Sequence, residues 1–212
     1  MKIKTRLIII YAGLIILFIS VQGIFIQSLY NKTADDVGQR AITISQVVAR
    51  SIDLERYEEI VRTKDRNDHF YQMQDYFSKV QQETGVDCLY IKHKISESQI
   101  EYIYDSDKDS LGEPDDLFTP EAYTNGTSLH TGIKSYEKWG TFITGYSPLI
   151  NKNGDIIGAV GTDIEVGDFY DVFFRRMRST LIYTANVTLM ISLLIFITMK
   201  RNILWKKNDE KD

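Results

Sequence analysis

The sequence predicts an α+β fold, a helix-led domain with an antiparallel sheet of about five strands, placed between two transmembrane helices. Three observations predict it. Two uncharged apolar runs, 7–26 and 181–199, lie near the ends of the 212-residue chain. Between them the apolar residues recur at helical spacing up to Gly85 and as short β-rich runs after it. The last two of those runs meet at Asn153-Gly154, a pair suited to the positive φ of a tight hairpin turn.

The run 7–26 carries no charge and as a helix spans roughly 30 Å, the thickness of the hydrocarbon core. It is longer than the apolar core of a signal peptide, and Gln27, Ser28, Leu29 and Tyr30 follow it in place of a small-residue cleavage site. It therefore reads as an uncleaved anchor. Lys2, Lys4 and Arg6 precede it, and Lys200, Arg201, Lys206 and Lys207 follow the second run. Basic flanks mark the cytoplasmic side. Arg175, Arg176 and Arg178 fall on the other flank of the second span, but the first span usually decides orientation. The expected layout is a cytoplasmic 1–6, a span at 7–26, an extracytoplasmic domain at 28–179, a span at 181–199 and a cytoplasmic tail at 200–212.

Within the domain, Val37, Ala41, Ile44, Val48 and Ile52 form one stripe at spacings of three and four. The spacing predicts a helix over 31–57 that continues the first span. Its stripe would face the sheet or pair with a second copy in a parallel homodimer. A second helix is predicted over 68–84, with Phe70, Met73, Phe77 and Val80 on one face and Gly85 as its stop. Strands follow at 86–95, 99–104, 130–136, 141–150 and 155–166, separated by the S-E-S turn and by an acidic loop containing Gly112, Pro114 and Pro120. From Asp168 the helical pattern returns and runs into the second span.

Composition excludes some functions. Residues 28–179 hold 26 acidic and 17 basic side chains, an unfavourable balance for nucleic-acid binding. The single cysteine, Cys88, allows neither an internal disulfide nor a cysteine-based zinc site, and reads as a buried small hydrophobe. No cofactor is expected. Asp105, Asp107 and Asp109 alternate like the start of a calcium loop, but Ser110 and Asp116 stand where an EF-hand needs Gly and Glu. Gly145-Tyr146-Ser147 ends in Leu149 where a nucleophile elbow needs Gly. His69, His93 and His130 have no metal spacing. No motif supports catalysis, and the chain is not expected to be an enzyme.

The stretch W-G-T-F-I-T-G-Y-S-P-L-I-N-K-N-G-D-I-I-G-A-V-G-T-D-I over 139–164 resembles the C-terminal half of Cache domains, the PAS-like extracytoplasmic sensors of bacterial receptors. Y-S-P-L, N-G and G-x-x-G-x-D-I carry the resemblance, and the helix-led first half and flanking spans agree with it. It implies a PAS-like Cache domain that receives a ligand and catalyses nothing. In amino-acid-binding members an Arg two residues before the Trp holds the ligand carboxylate. Glu137 stands there instead, which argues against an amino-acid ligand and leaves Lys138 and Lys134 as substitutes.

The residues give candidates of their own. Ile157, Ala159, Gly161 and Asp163 share one face of the last strand, and Phe142, Thr144 and Tyr146 share one face of the strand before it. Small residues there let a ligand approach, and Trp139 and Tyr146 supply amphipathic walls. The expected ligand-binding residues are Trp139, Tyr146, Asp163, Lys138, Tyr136 and Thr144. The competing readings place Trp139 and Tyr146 in the core and make Asp163 the cap of the following helix. A pocket is expected between the sheet and the loop 108–130. The functional expectation is a membrane-anchored sensor of a small molecule. It signals through its spans to a kinase, cyclase or chemotaxis output that 200–212 is too short to hold, or to a separate membrane partner. The alternative is an accessory or assembly protein that holds a protein partner without a ligand.

Overall fold

A computed structural model describes residues 3–209 other than Lys138. The chain divides into two compact units, one made of the residues up to Leu29 and from Asp171 onward, the other of Tyr30–Tyr170. The first is helical throughout its described residues. It contains the N-terminal part of α1 (Ile3–Ser51) and most of α4 (Val166–Asp209). Both helices are long and apolar enough to cross a membrane. Leu14, Ile16, Ile19, Ile24, Leu189, Leu193 and Phe196 are exposed on them, as side chains facing lipid would be. Asn186 donates to the Ile182 carbonyl of its own helix at 2.8 Å.

The second unit begins with the rest of α1, followed by α2 (Leu54–Thr63) and α3 (Asp68–Thr84). The predicted single helix over 31–57 is thus two helices. Asp53 breaks it: its extended backbone and side chain cap α2 by accepting from the Glu55 and Arg56 amides. Asn67 caps α3 in the same way, and Gly85 closes it in the left-handed conformation. The stripe of α1 faces its own sheet. Val37, Ala41 and Val48 are buried there together with Ile42 and Ser45, and Ile44 and Ile52 are half-buried.

The sheet has six strands where the sequence predicts about five: β1 (Cys88–Lys94), β2 (Gln99–Asp105), β3 (Pro114–Asp116), β4 (Leu129–Tyr136), β5 (Gly140–Ile150) and β6 (Ile156–Glu165). The extra strand β3 has three residues and begins with Pro114, too short for any alternation to reveal it. The order is β3-β2-β1-β6-β5-β4, with every pair antiparallel. A 3₁₀ turn, Pro120–Tyr123, lies between β3 and β4. Asn153-Gly154 does make the β5–β6 turn, with Gly154 at φ +89°.

Two irregularities decide which side chains share a face. Ile91 pairs with Tyr104 but Lys92 pairs with Tyr102, so Ile103 is an extra residue, a bulge. It turns Tyr102 and Asp105 to one face although they are three apart. A second irregularity lies between His130 and Ile133 on β4, where Gly132 has φ +66°. The two edges of the sheet also approach each other: the Phe118 ring, just after β3, meets that of Tyr136 on β4 with centroids 5.2 Å apart. The sheet is therefore curled. Its convex face carries α1, α2 and α3, and its concave face closes around a cavity.

Candidate functional site

The concave face is supplied by alternate residues of the central strands. Tyr90 and Lys92 come from β1, Tyr102 and Asp105 from β2, Phe142, Thr144 and Tyr146 from β5, and Asp163 from β6. Together with Phe118, Tyr136 and Trp139 at the rim they enclose about 340 Å³, the lower end of the range for small-molecule sites.

Asp163 lies opposite Cys88 and Thr144 in the sheet. Its Oδ1 accepts from Thr144 Oγ1 at 2.7 Å and from the Tyr90 hydroxyl at 3.2 Å. Tyr90 reaches it because its ring lies directly over Gly161, where a Cβ would fall 2.2 Å from the ring. Burial pushes the Asp163 carboxyl up to about 6, against the pull of Thr144, Lys92 and Tyr90. Asp163 thus faces the cavity and does not cap α4.

Lys92 is 7% exposed. Its ammonium bonds Asp115 at 2.8 Å and sits 4.4 and 4.1 Å from the ring centroids of Tyr90 and Tyr102. The Tyr102 hydroxyl donates to the same Asp115 oxygen at 3.4 Å. Burial raises the hydroxyls of Tyr90, Tyr102 and Tyr146 above their ordinary value, so all three are neutral donors at physiological pH. The described charged residues of the lining are Asp105, Asp107, Asp115 and Asp163 against Lys92 and Lys108, an acidic balance.

Of the six expected residues, Tyr136, Trp139, Thr144, Tyr146 and Asp163 meet around this one cavity, and Lys138 lies outside the described residues. Tyr146 is also core: it packs in the buried cluster of Tyr90, Tyr102, Tyr123 and Ala159. Trp139 is 42% exposed and belongs to the rim. Lys134 donates to Thr119 Oγ1 at 3.5 Å. Cys88, expected in the core, is half-buried on the cavity wall and donates to Asp107 at 2.9 Å. Sequence reasoning missed Tyr90, Lys92, Tyr102 and Asp115. A signal existed in Tyr90-x-Lys92, a polar pair at period two within an apolar strand.

The acidic loop is tied down by protein groups. Arg66 clamps Asp109, Asp105 accepts from Ser110 and from the Asp107 amide, and Gln81 bonds Asp107. Its three carboxylates turn to separate partners and do not converge.

A second cavity of about 490 Å³ adjoins the first. It is lined by Asp115, Asp116, Phe118, Lys134, Ser135, Tyr136, Glu137 and Trp139.

Two solved structures that superpose on this fold are sensor domains. The sensor domain of Escherichia coli DcuS superposes with a TM-score of 0.52 at 14% identity, covering 66% of this chain and 96% of that one. The sensor domain of the Vibrio cholerae histidine kinase DctB superposes with a TM-score of 0.56 at 11% identity. That match covers 74% of this chain and 59% of the DctB domain. Neither a protein-family model nor a curated protein matches the sequence. At these identities the likeness establishes the fold alone, a long helix leading a curled antiparallel sheet as in those two domains.

Proposed function

We propose that this chain is the sensory part of a membrane receptor and that its curled sheet binds a small molecule bearing a protonated amine. The observation that carries this reading is Asp163, a carboxylate aimed into an aromatic cavity and held by two hydroxyl donors. Burial raises its affinity for a proton beyond what Thr144, Lys92 and Tyr90 offset, so its negative charge is incompletely compensated. An ammonium would complete the compensation, and the surrounding rings favour a cation over their faces. The lysine already present does not fill this role, because Lys92 is paired with Asp115. A free carboxylate on the ligand would face an acidic lining, which separates this reading from an amino-acid receptor.

On this reading the domain lies outside the cytoplasm and its occupancy reaches the membrane through α1 and α4. The path to α4 is short, since only Ile164 and Glu165 separate Asp163 from its first residue. The output is of histidine kinase, cyclase or chemotaxis type.

The test is a thermal-shift screen of primary amines and organic acids on the full chain in lipid nanodiscs. A ligand at 100 times its Kd adds about 2.7 kcal/mol to stability. Amines are expected to stabilise wild type, and Asp163→Asn to weaken the hit by about 30-fold or more. A hit that stabilises Asp163→Asn as much as wild type would remove the site. A screen in which only acids score would remove the ligand class.

A further inference from the structure

The two cavities share a wall: Asp115, Phe118, Tyr136 and Trp139 line both. Phe118 and Trp139 are 49% and 42% exposed, so the partition is made of aromatic side chains that solvent reaches, not of packed core. Beyond it, the outer cavity adds Asp116 and Glu137 against one described cation, Lys134. Among the described residues neither of these carboxylates is in an ion pair. The inner cavity is acidic as well. The site therefore has two acidic chambers on either side of an aromatic partition.

A monoamine on Asp163 uses one chamber. A molecule with two ammonium groups on a flexible apolar chain uses both. We propose, building on the amine reading above, that the ligand is an elongated diamine or polyamine. One ammonium sits on Asp163, the methylene chain crosses between Phe118, Tyr136 and Trp139, and a second ammonium lies beside Asp116 and Glu137. The chemistry of each part fits. Methylenes pack on ring faces, and those faces attract the flanking positive charges. The outer carboxylates repel an anionic far end, which selects against amino acids and dicarboxylates.

The test uses the full chain in nanodiscs carrying Trp205→Phe, so that Trp139 is the only indole and its fluorescence reports occupancy; calorimetry supplies an independent Kd. The probes are butylamine, 1,4-diaminobutane and spermidine at low salt. The two longer cations are expected to bind about five- to tenfold tighter than butylamine. The Asp116→Asn/Glu137→Gln double variant should lose that gain while keeping the butylamine affinity, which also shows that its inner chamber is intact. Equal affinities for all three probes, or a gain that survives the double variant, would overturn the extended ligand and leave the amine reading standing. Failure of all three to bind wild type would overturn both.

Discussion

Residues that alternate along the same strands enter two unlike environments. Toward the helices the sheet presents Leu89, Ile91, Ile143, Val160 and Ile164, all essentially fully buried. There Phe70 and Phe77 of α3 pack on Tyr104 at centroid distances of 5.6 and 5.7 Å. Toward the cavity it presents Tyr90, Lys92, Tyr102, Thr144, Tyr146 and Asp163. The first face is close-packed and mostly apolar, so its interactions stabilise the fold directly. The second is lined with hydroxyls and charges whose compensation is incomplete. Stability is concentrated on one face, and the capacity to gain from a ligand on the other.

Two glycines test this division most severely. A Cβ at Gly145 would lie 2.3 Å from the Ile42 amide nitrogen and 2.4 Å from the Ala41 carbonyl carbon. These are helix backbone atoms that cannot swing aside. Gly145→Ala is expected to cost about 3 kcal/mol or more, read as a lower melting temperature. At Gly161 the obstacle is the far end of the Tyr90 ring, which can turn. Gly161→Ala should cost nearer about 1 kcal/mol and act mainly by pushing the Tyr90 hydroxyl off Asp163. Equal losses at the two positions would break the comparison.

Asp163→Asn is the next largest effect, and its sign is opposite. Burial raises the folded-state carboxyl to about 6, above the ordinary aspartate value of about 4. Between those pH values the native state holds the extra proton, so stability falls as pH rises through the window, and above about 6 the whole penalty stands. At pH 7 Asp163→Asn should therefore stabilise the ligand-free chain by up to about 3 kcal/mol. It should also flatten the pH dependence between about 4 and 6. For wild type, amine affinity should rise with pH up to about 6 and then level off, with binding releasing a proton below that point. A destabilised Asp163→Asn at neutral pH would mean that Asp163 belongs with the structural face.

Much of the fold was legible because it follows from local chemistry. Phe70, Met73, Phe77 and Val80 at helical spacing with Gly85 after them gave α3 at its observed limits. Asn153-Gly154 gave the β5–β6 turn, and period two put Thr144, Tyr146 and Asp163 on faces that do meet. What stayed hidden depends on long-range register. The bulge at Ile103 brings Tyr102 and Asp105 to one face, and nothing within 99–105 announces it. Asp115 reaches Lys92 because β3 pairs at the far side of β2. Asp53 is a residue type suited to a cap, but the apolar stripe runs up to Ile52 and masks the break. That stripe suits a dimer as well as a sheet, and the space at Gly145 that seats α1 on the sheet is a long-range feature.

A polar node on the helix face gives a smaller effect. Ser45 is fully buried; its Oγ donates to the Gly145 carbonyl at 2.9 Å and shares a hydrogen with Thr162 Oγ1 at 2.7 Å. Ser45→Ala strands the Thr162 hydroxyl and should cost about 1–2 kcal/mol. Removing both hydroxyls with Thr162→Val should recover part of that loss, because no buried donor then lacks a partner. A double variant worse than the sum of the singles would show that the node is held by more than this pair.

The smallest effect separates the two faces most sharply, because it can be read as a pH midpoint. Thr144 is buried and donates to Asp163 at 2.7 Å, a bond that favours the ionised carboxylate. Thr144→Val keeps the shape and removes the donor, so the Asp163 carboxyl should move above about 6 and the window of falling stability should extend toward neutral pH. At pH 7 the variant should lose about 1 kcal/mol, and at pH 4 much less. In an Asp163→Asn background the pH-dependent part should vanish. Ser45→Ala also deletes a hydroxyl from a buried bond, but its hydrogen-bond partners are a carbonyl and another hydroxyl, so its cost should be the same at both pH values. A Thr144→Val midpoint that stays in place or moves down would show that Thr144 holds the strand and not the carboxylate, and the cavity face would lose the feature that distinguishes it.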